Sequence, residues 1–270
     1  MRHLPNLLTL ANLFCGGLAT VCALHAQPYL FHNTGGNPTY EWEWDWGATQ
    51  LHYAGILILA ASLFDMLDGM AARALGVHSP IGKDLDSLAD VVSFGVAPSA
   101  ILYQMLWDRG WSGVGIVHSL VQDVPMMAMA PAFLVACFAA LRLARFNVST
   151  PPTAPGTFTG VPTPAIGLVV AGLALSNWDT SGIVSRYFEN SWTIYLLIAA
   201  LCWLMVCRLR FLKLAPPNKS MAQIWPRAVL VLGAAGLLAW LRFEATLPIF
   251  ALYIVLSFFV PKAASKEVPA

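Results

Sequence analysis

The chain alternates long apolar stretches with short polar or Pro/Gly-rich connections along almost its whole length. A helix that crosses a membrane needs about 20 mainly apolar residues, and eight stretches are candidates for such helices. They cover residues 5–25, 53–74, 86–107, 126–146, 160–177, 191–210, 227–242 and 246–261. The last two are short and tightly joined, which predicts a helical hairpin. The pattern therefore predicts an all-α, polytopic transmembrane helix bundle with about eight spans.

Polar residues within the first stretch follow a helical repeat. Pro5, Thr9, Asn12 and Gly16 recur on one face of a helix. A secretory signal peptide, the alternative for this N-terminal stretch, has an apolar middle region with no such stripe. We therefore expect a retained first span whose polar face is directed into the bundle.

Composition agrees with a membrane protein. Hydrophobic residues make up 58% of the chain and charged residues only 11%, against about 25% charged residues in an ordinary soluble domain. The net charge of +1, with no long basic run, gives no support for nucleic-acid binding. No internal repeat and no second soluble domain are evident in the sequence.

The distribution of basic residues predicts the orientation in the membrane. With the N-terminus inside, only Arg109, Arg186 and Arg242 of the fifteen Lys and Arg residues fall on the outer side. The positive-inside rule then places both termini and the aspartate-rich region 65–90 on the cytoplasmic side of the membrane. The outer loop 26–52 has no Lys or Arg, and its alternating Trp and acidic residues at 41–46 are typical of an interfacial anchor.

Aspartates are concentrated between residues 65 and 90. Asp65, Asp68, Gly69, Ala72 and Arg73 follow the spacing of one helical face at the inner end of the second span. An aspartate at the centre of a span costs about 2.5–3.5 kcal/mol, so four unpaired ones would cost roughly 10–14 kcal/mol. These carboxylates must be neutralised or lie near water, and they mark a functional site.

The third span begins with a similar face, because Gly82, Asp86, Asp90 and Ser93 are also in helical register. An antiparallel hairpin around the connection 75–85 would bring the two carboxylate faces together on the cytoplasmic side. Carboxylate oxygens without His or Cys suit Mg²⁺ or Mn²⁺, and such ions can clamp a pyrophosphate. The alternative is that the aspartates cap helices or pair with nearby cations. Four aspartates in register with small residues and an arginine favour a metal and phosphate site.

The aspartate-rich region resembles that of a known family. Residues 65–90 match without departure the pattern D-x-x-D-G-x-x-A-R-x(8)-G-x-x-x-D-x-x-x-D of the CDP-alcohol phosphotransferases. Four further stretches resemble its phosphatidylserine synthase branch, the CDP-diacylglycerol–serine O-phosphatidyltransferases. They are Pro5–Gly17, Ser93–Pro98, Leu141–Asn147 and Phe158–Ala165. The resemblance covers roughly residues 1–25 and 55–170; loop 26–52 is longer than is usual for the branch, and the C-terminal third carries no motif.

The resemblance implies a fold, a reaction and a set of site residues. The fold would be a six-helix core with the hairpin 227–261 added, so that residues 1–270 form a single integral-membrane catalytic domain. The reaction would transfer the phosphatidyl group from CDP-diacylglycerol to L-serine and release CMP. Asp65, Asp68 and Asp86 would hold the divalent metal, with Asp90 completing a two-ion site or acting as the base. The implied CDP- and phosphate-binding residues are Asn6, Thr9, Gly69, Ala72, Arg73 and Gly82. A homodimer surrounded by membrane lipid is also implied.

Serine carries a carboxylate, for which Arg142 and Arg145 are the candidate ligands. A guanidinium matches a carboxylate bidentately, and residues three apart are neighbours on a helix. The alternative is that both arginines are ordinary cytoplasmic anchors. Asn147 and Ser93 could add polar contacts to the same subsite.

Two other functions remain open at this stage. The same chemistry could serve another acceptor such as glycerol 3-phosphate, although its phosphate would favour more cationic residues near the site. A membrane metal or ion transporter could also use intramembrane aspartates. A transporter site usually lies near the bilayer midplane, whereas these aspartates flank a cytoplasmic connection.

Overall fold

The computed structural model describes residues 3–26, 32–34, 37–39, 44–76, 80–112, 126–148, 157–176, 187–188, 190–212 and 221–259. These residues form a helix bundle with two short antiparallel strand pairs, which confirms the predicted all-α class. The elements in chain order are α1 (Leu4–Leu24), β1 (His32–Thr34), β2 (Asn37–Thr39), α2 (Trp44–Leu75), α3 (Pro80–Val91), a π-helical turn (Val92–Val96), α4 (Ala97–Ser112), α5 (Met126–Met129), a 3-10 turn (Ala130–Phe133), α6 (Leu134–Val148), β3 (Thr157–Thr159), α7 (Thr163–Ser176), α8 (Ser191–Val206), β4 (Arg210–Leu212), α9 (Met221–Leu241), a second 3-10 turn (Arg242–Ala245) and α10 (Thr246–Phe258).

Five helical segments within the described residues are long and apolar enough to cross a membrane. They are Leu4–Leu24, Thr49–Leu75, Ile81–Trp107, Met127–Val148 and Ile224–Phe258. The apolar helices α7 and α8 are shorter, with 14 and 16 residues. The protein is therefore an integral membrane protein, and the count of eight spans stays a prediction.

Two helices begin earlier than the hydrophobic pattern predicted. Helix α2 begins at Trp44 rather than near residue 53, so part of the expected outer loop is helical. Residues 41–43 of the expected interfacial anchor lie outside the described residues. Helix α3 begins at Pro80 rather than residue 86. Proline suits a helix start because its missing N–H would have no partner there. Apolarity alone missed both starts because these turns are polar.

The polar stripe of α1 is directed into the bundle, as predicted. Pro5, Thr9, Asn12 and Gly16 are all buried, whereas neighbouring leucines such as Leu7 are exposed. Helix α1 packs against α2, α3, α4 and the π-helical turn. Small and polar side chains on this face allow close packing between helices in a membrane.

The π-helical turn between α3 and α4 lies at the centre of the bundle. The N–H of Ala97 donates to the carbonyl of Val92, one residue further back than in an α-helix. Pro98 follows directly, and its ring cannot fit against the carbonyl four residues before it in an α-helix. The wider turn accommodates this proline. Phe94, fully buried in the turn, packs against α7, where a Cβ on Gly167 would lie 2.7 Å from its Cδ1.

Helices α9 and α10 form the predicted C-terminal hairpin. They pack together closely where a Cβ on Gly233 would lie 2.8 Å from Cδ2 of Leu252. The chain reverses at Arg242, which has a φ of 51°. Helix α10 also packs against α7, and a Cβ on Gly172 would overlap the Thr246 side chain.

The second strand pair links the start of α7 to the end of α8. Thr157 pairs with Leu212 and Thr159 with Arg210 in an antiparallel register. Gly160 follows with a φ of +73°, and a Cβ there would overlap the carbonyl of Met205. The strand pair therefore requires glycine at the point where the chain turns towards α7.

Candidate active site

Three of the predicted aspartates come together between α2 and α3. Asp65, Asp68 and Asp86 each offer a carboxylate oxygen, and these oxygens lie within 4.8 Å of one another. Asp68 is buried, and the other two are half-buried. Helical spacing of three stacks Asp65 and Asp68 on one face of α2, and α3 brings Asp86 against that face. Such a set of oxygen donors fits a hard divalent cation.

Helix α1 contributes a polar contact to this cluster. The hydroxyl of Thr9 lies 2.7 Å from Oδ2 of Asp68, to which it donates, and 3.0 Å from the carbonyl of Pro5. Thr9 is 4% exposed and Asp68 is 6% exposed, so water has little access to their contact. The hydroxyl therefore fixes one carboxylate of the cluster.

Asp90 lies one helical turn beyond Asp86, next to the other carboxylates. Its side chain is 8% exposed and contacts the carboxyl group of Asp65. Oδ1 of Asp90 is buried and has no hydrogen-bond partner among the described residues. A buried carboxylate oxygen without a donor is costly. Asp90 is therefore suited to accept a proton or to bind a positively charged group.

Arg142 on α6 is a cation close to the Asp90 end of the cluster. Its guanidinium lies within electrostatic range of the Asp90 carboxyl group and, across the bundle, of the Tyr253 hydroxyl on α10. Its Nη1 donates to Oγ1 of Thr163 over a long distance of 3.4 Å, and its buried Nε has no hydrogen-bond partner within the described bundle. Much of its donor capacity is thus available to an anion.

The predicted nucleotide-binding residues lie on α1, α2 and α3, the helices that also carry the carboxylate cluster and its Thr9 contact. A Cβ on Gly69 would meet nothing within 4 Å, so the helix borders open space there. Ala72 and Gly82 are half-buried, and Arg73 is exposed in the last turn of α2. Asn6 is half-buried on α1, one turn before Thr9. Their roles towards CDP stay predictions.

The other predicted serine-binding residues lie in different surroundings. Ser93 is fully buried and donates to the carbonyl of Asn12 at 3.0 Å, which joins the π-helical turn to α1. Asn147 donates to Oγ of Ser87 at 2.8 Å and so joins α6 to α3. Arg145 is exposed, unlike the half-buried Arg142. The structure thus places Arg142 within electrostatic range of Asp90, and the substrate roles of all four residues stay predictions.

Sequence reasoning missed two residues beside Arg142. Thr163, fully buried at the start of α7, accepts the hydrogen bond from Arg142. Tyr253 comes from a helix in which the sequence offered no motif. Thr163 lies in Phe158–Ala165, one of the stretches that resemble the phosphatidylserine synthase branch. That resemblance was the one feature of the sequence that pointed to Thr163.

Comparison with protein families agrees with this geometry. The model of the CDP-alcohol phosphatidyltransferase family matches residues 2–205, which includes the whole carboxylate cluster. The chain belongs to this family. As a CDP-alcohol phosphatidyltransferase it is a transferase, which excludes the transporter alternative. The match ends within α8, before the second strand pair is completed and before the C-terminal hairpin.

Several curated proteins are similar to the chain. A CDP-diacylglycerol–serine O-phosphatidyltransferase of Bacillus subtilis is 27% identical over 211 residues, covering 78% of this chain and 90% of that protein. One of Mycobacterium tuberculosis is 32% identical over 250 residues, covering 87% and 70%. An archaetidylserine synthase of Methanothermobacter thermautotrophicus is 38% identical over 139 residues, half of each chain. The match to the CDP-diacylglycerol–serine O-phosphatidyltransferase of Helicobacter pylori J99 spans 54% of that protein.

Proposed function

We propose that the protein transfers the phosphatidyl group of CDP-diacylglycerol to the hydroxyl of L-serine, giving phosphatidylserine and CMP. The observation that carries the proposal is the position of Arg142, which lies within electrostatic range of Asp90, the carboxyl group that contacts Asp65 of the three-carboxylate cluster. One end of this arrangement suits a pyrophosphate with its cation, and the other suits an acceptor that carries a carboxylate. The similar proteins named CDP-diacylglycerol–serine O-phosphatidyltransferases support serine as the acceptor.

Asp65, Asp68 and Asp86 would hold the divalent cation, Mg²⁺ or Mn²⁺. A bound ion supplies positive charge that stabilises the negative charge of the pyrophosphate and of the phosphoryl group during transfer. The protein's own part is to hold three oxygens in place, with Thr9 fixing Asp68. Asn6, Thr9, Gly69, Ala72, Arg73 and Gly82 would bind the nucleotide and its phosphates. Helix α2 beside Gly69 has room for such a ligand.

The reaction step follows from the neighbourhood of Asp90. The serine hydroxyl oxygen forms a bond to the lipid-side phosphorus, and the bond from that phosphorus to the bridging oxygen of the pyrophosphate breaks. CMP leaves with the bridging oxygen, and the hydroxyl proton passes to Asp90. The buried Oδ1 of Asp90, which lacks a donor among the described residues, supports this role as the base. Arg142 orients the serine carboxylate, with Arg145, Asn147 and Ser93 as further candidates for this subsite.

Orientation and assembly are parts of the same proposal. The excess of Lys and Arg on one side supports a cytoplasmic active site and cytoplasmic termini in a bacterial-type inner membrane. A homodimer in contact with membrane lipid is what the family resemblance implies. Single-cysteine labelling from either side of sealed vesicles would test the orientation, and mass measurement in nanodiscs would test the dimer.

The activity can be tested with the purified protein in nanodiscs that contain CDP-diacylglycerol. CMP release is measured with Mg²⁺ or Mn²⁺ and with serine, glycerol 3-phosphate or inositol phosphate as the acceptor. We expect serine to give the fastest release and a chelator to stop it. Faster release with a phosphorylated acceptor would overturn serine as the substrate. Undiminished release in the chelator would overturn the metal site.

A further inference from the structure

Two side chains of helix α10 bind Leu212 of strand β4, a residue C-terminal to the region that matches the family model. The hydroxyl of Tyr253 donates to the carbonyl of Leu212 at 3.2 Å, and the N–H of Leu212 donates to Oγ of Ser257 at 3.2 Å. Ser257 itself donates to the carbonyl of Tyr253 at 2.7 Å. Both backbone polar groups of Leu212 are thus bound by side chains of one helix, which fixes the end of β4.

Aromatic contacts fix the Tyr253 ring. It stacks on Phe211 with centroids 6.0 Å apart and on Phe250 with centroids 6.4 Å apart. Phe211 and Leu212 are each 1% exposed. The ring is therefore held in place independently of its hydroxyl, and the hydroxyl has a defined direction.

A path of hydrogen bonds and short chain segments leads from Leu212 to Arg142. Strand β4 pairs with β3, and the chain then passes through Gly160 and Val161, whose N–H groups donate to the carbonyls of Leu209 and Leu204 at 3.0 Å. Two residues later Thr163 accepts the hydrogen bond from Arg142. The Tyr253 hydroxyl also lies within electrostatic range of the Arg142 guanidinium.

We propose that Tyr253 is a positioning residue for the acceptor subsite. Through Leu212 and the β3–β4 pair it fixes the segment that carries Thr163, and this segment in turn orients the Arg142 guanidinium. The C-terminal hairpin is then part of acceptor recognition, although it lies outside the family match. The inference deepens the proposed function and rests on Arg142 as the ligand of the acceptor's anionic group.

The test compares Tyr253→Phe with Tyr195→Phe in the full chain. The first removes the hydroxyl and keeps the stacked ring. The second is a matched control, because Tyr195 also donates to a backbone carbonyl, that of Ala128 at 2.6 Å. Ala128 is 14 residues before Arg142 in the sequence, which corresponds to about 20 Å along a helix. Each variant is assayed for KM and kcat towards serine and towards CDP-diacylglycerol.

We expect Tyr253→Phe to raise the KM for serine about fivefold to tenfold, the effect of one lost hydrogen bond on placement of the ligand. The KM for CDP-diacylglycerol should change by less than about twofold, because the path ends at Arg142 and Thr163 on the acceptor side of the site. Tyr195→Phe should leave the ratio of the two KM values unchanged. An unchanged KM for serine in Tyr253→Phe, or equal rises in both KM values, would overturn the proposal.

A readout independent of activity is hydrogen exchange of the backbone amides of Gly160 and Val161. In Tyr253→Phe their exchange should be about tenfold faster, because a bound segment is loosened. Tyr195→Phe should leave it unchanged. Equal exchange in wild type and Tyr253→Phe would overturn the proposal even if serine proved not to be the acceptor. Wild-type protein that uses a different acceptor would refute only the proposed substrate, and the KM comparison would then be made with that acceptor.

Discussion

The hydroxyl of Thr9 donates to Oδ2 of Asp68 at 2.7 Å and so joins the first helix to the carboxylate cluster. The two residues are 59 positions apart in the sequence, and both are buried. Because the hydroxyl holds one oxygen of the Asp68 carboxylate, it also sets the direction of the second oxygen. Helix α1 therefore takes part in the geometry of the site as well as in the packing of the bundle.

Thr9→Val should weaken metal activation. Valine keeps the shape of the side chain but removes the donor, and loss of an outer partner of a metal ligand typically costs about 10–100-fold in metal affinity or activity. The measurement is the Mn²⁺ or Mg²⁺ concentration that gives half-maximal CMP release. Thr20→Val is the matched control, since Thr20 donates only to the carbonyl of Gly16 on its own helix at 3.0 Å. Equal metal requirements in the two variants would contradict the role of Thr9.

Asp86→Asn should lower kcat on the order of a thousandfold, because a bound cation supplies several kcal/mol of charge stabilisation in phosphoryl transfer. The change removes one of the three clustered carboxylates. Asp84→Asn is the control: Asp84 is two residues away, exposed and off the shared helical face, and we expect near-wild-type activity. Binding of Mn²⁺, followed by its paramagnetic resonance signal, should be lost in the first variant only. Equal losses of activity would show that the cluster is not the metal site.

Asp90→Asn should lower turnover about 10²–10⁴-fold, the usual contribution of a general base. The amide preserves the size of the side chain but cannot take up the serine proton. CDP-diacylglycerol binding, measured by isothermal titration, should remain largely intact. Retained turnover would refute Asp90 as the base, and lost binding would indicate that it is mainly a metal ligand.

Arg142→Lys should raise the KM for serine by about 10–100-fold, since a hydrogen bond to a charged group contributes about 1.5–3 kcal/mol. Lysine keeps the charge but loses the bidentate geometry. The same change at Arg145 should have a smaller effect, because that side chain is exposed and water weakens its contacts. The KM for CDP-diacylglycerol reports on general damage and should stay within about twofold. A larger effect at Arg145 would transfer the carboxylate site to that residue.

Gly16→Ala should destabilise the protein by about 1–3 kcal/mol, the usual cost of overpacking. Its Cβ would overlap the Ser93 hydroxyl, which is itself bound to the carbonyl of Asn12. Gly17→Ala adds the same methyl group where nothing lies within 4 Å, and the melting temperature should be unchanged or slightly higher. Thermal unfolding in detergent measures both variants. A melting temperature for Gly16→Ala equal to that of wild type would contradict the tight packing of α1 on the π-helical turn.

Local spacing was enough to predict the carboxylate cluster. Asp65 and Asp68 belong to one helix and Asp86 to the next, so helical periodicity and a short connection determine that their faces can meet. The polar stripe of α1 followed from the same periodicity. The C-terminal hairpin was predicted from two apolar stretches and the tight turn between them.

Contacts between distant elements could not be predicted in this way. Strands β3 and β4 have three residues each, too few to give an alternating pattern, and they come from widely separated parts of the chain. The link from Tyr253 to Leu212 depends on that pairing. The difference between Arg142 and Arg145 depends on the rotation of α6 against α3, which spacing along one helix does not determine.

The π-helical turn changes the directions in which side chains point on either side of it in the third span. One extra residue in a helix shifts everything beyond it by about 100° around the axis, because an α-helix has 3.6 residues per turn. Because of this rotation, the face of α3 that carries the aspartates can point towards α2 while α4 stays deeply buried. A regular helix of the same sequence could not meet both conditions. Deleting one residue within Val92–Val96 would rotate Asp86 and Asp90 away from α2, so the length of this stretch is as much a condition of activity as the carboxylates themselves.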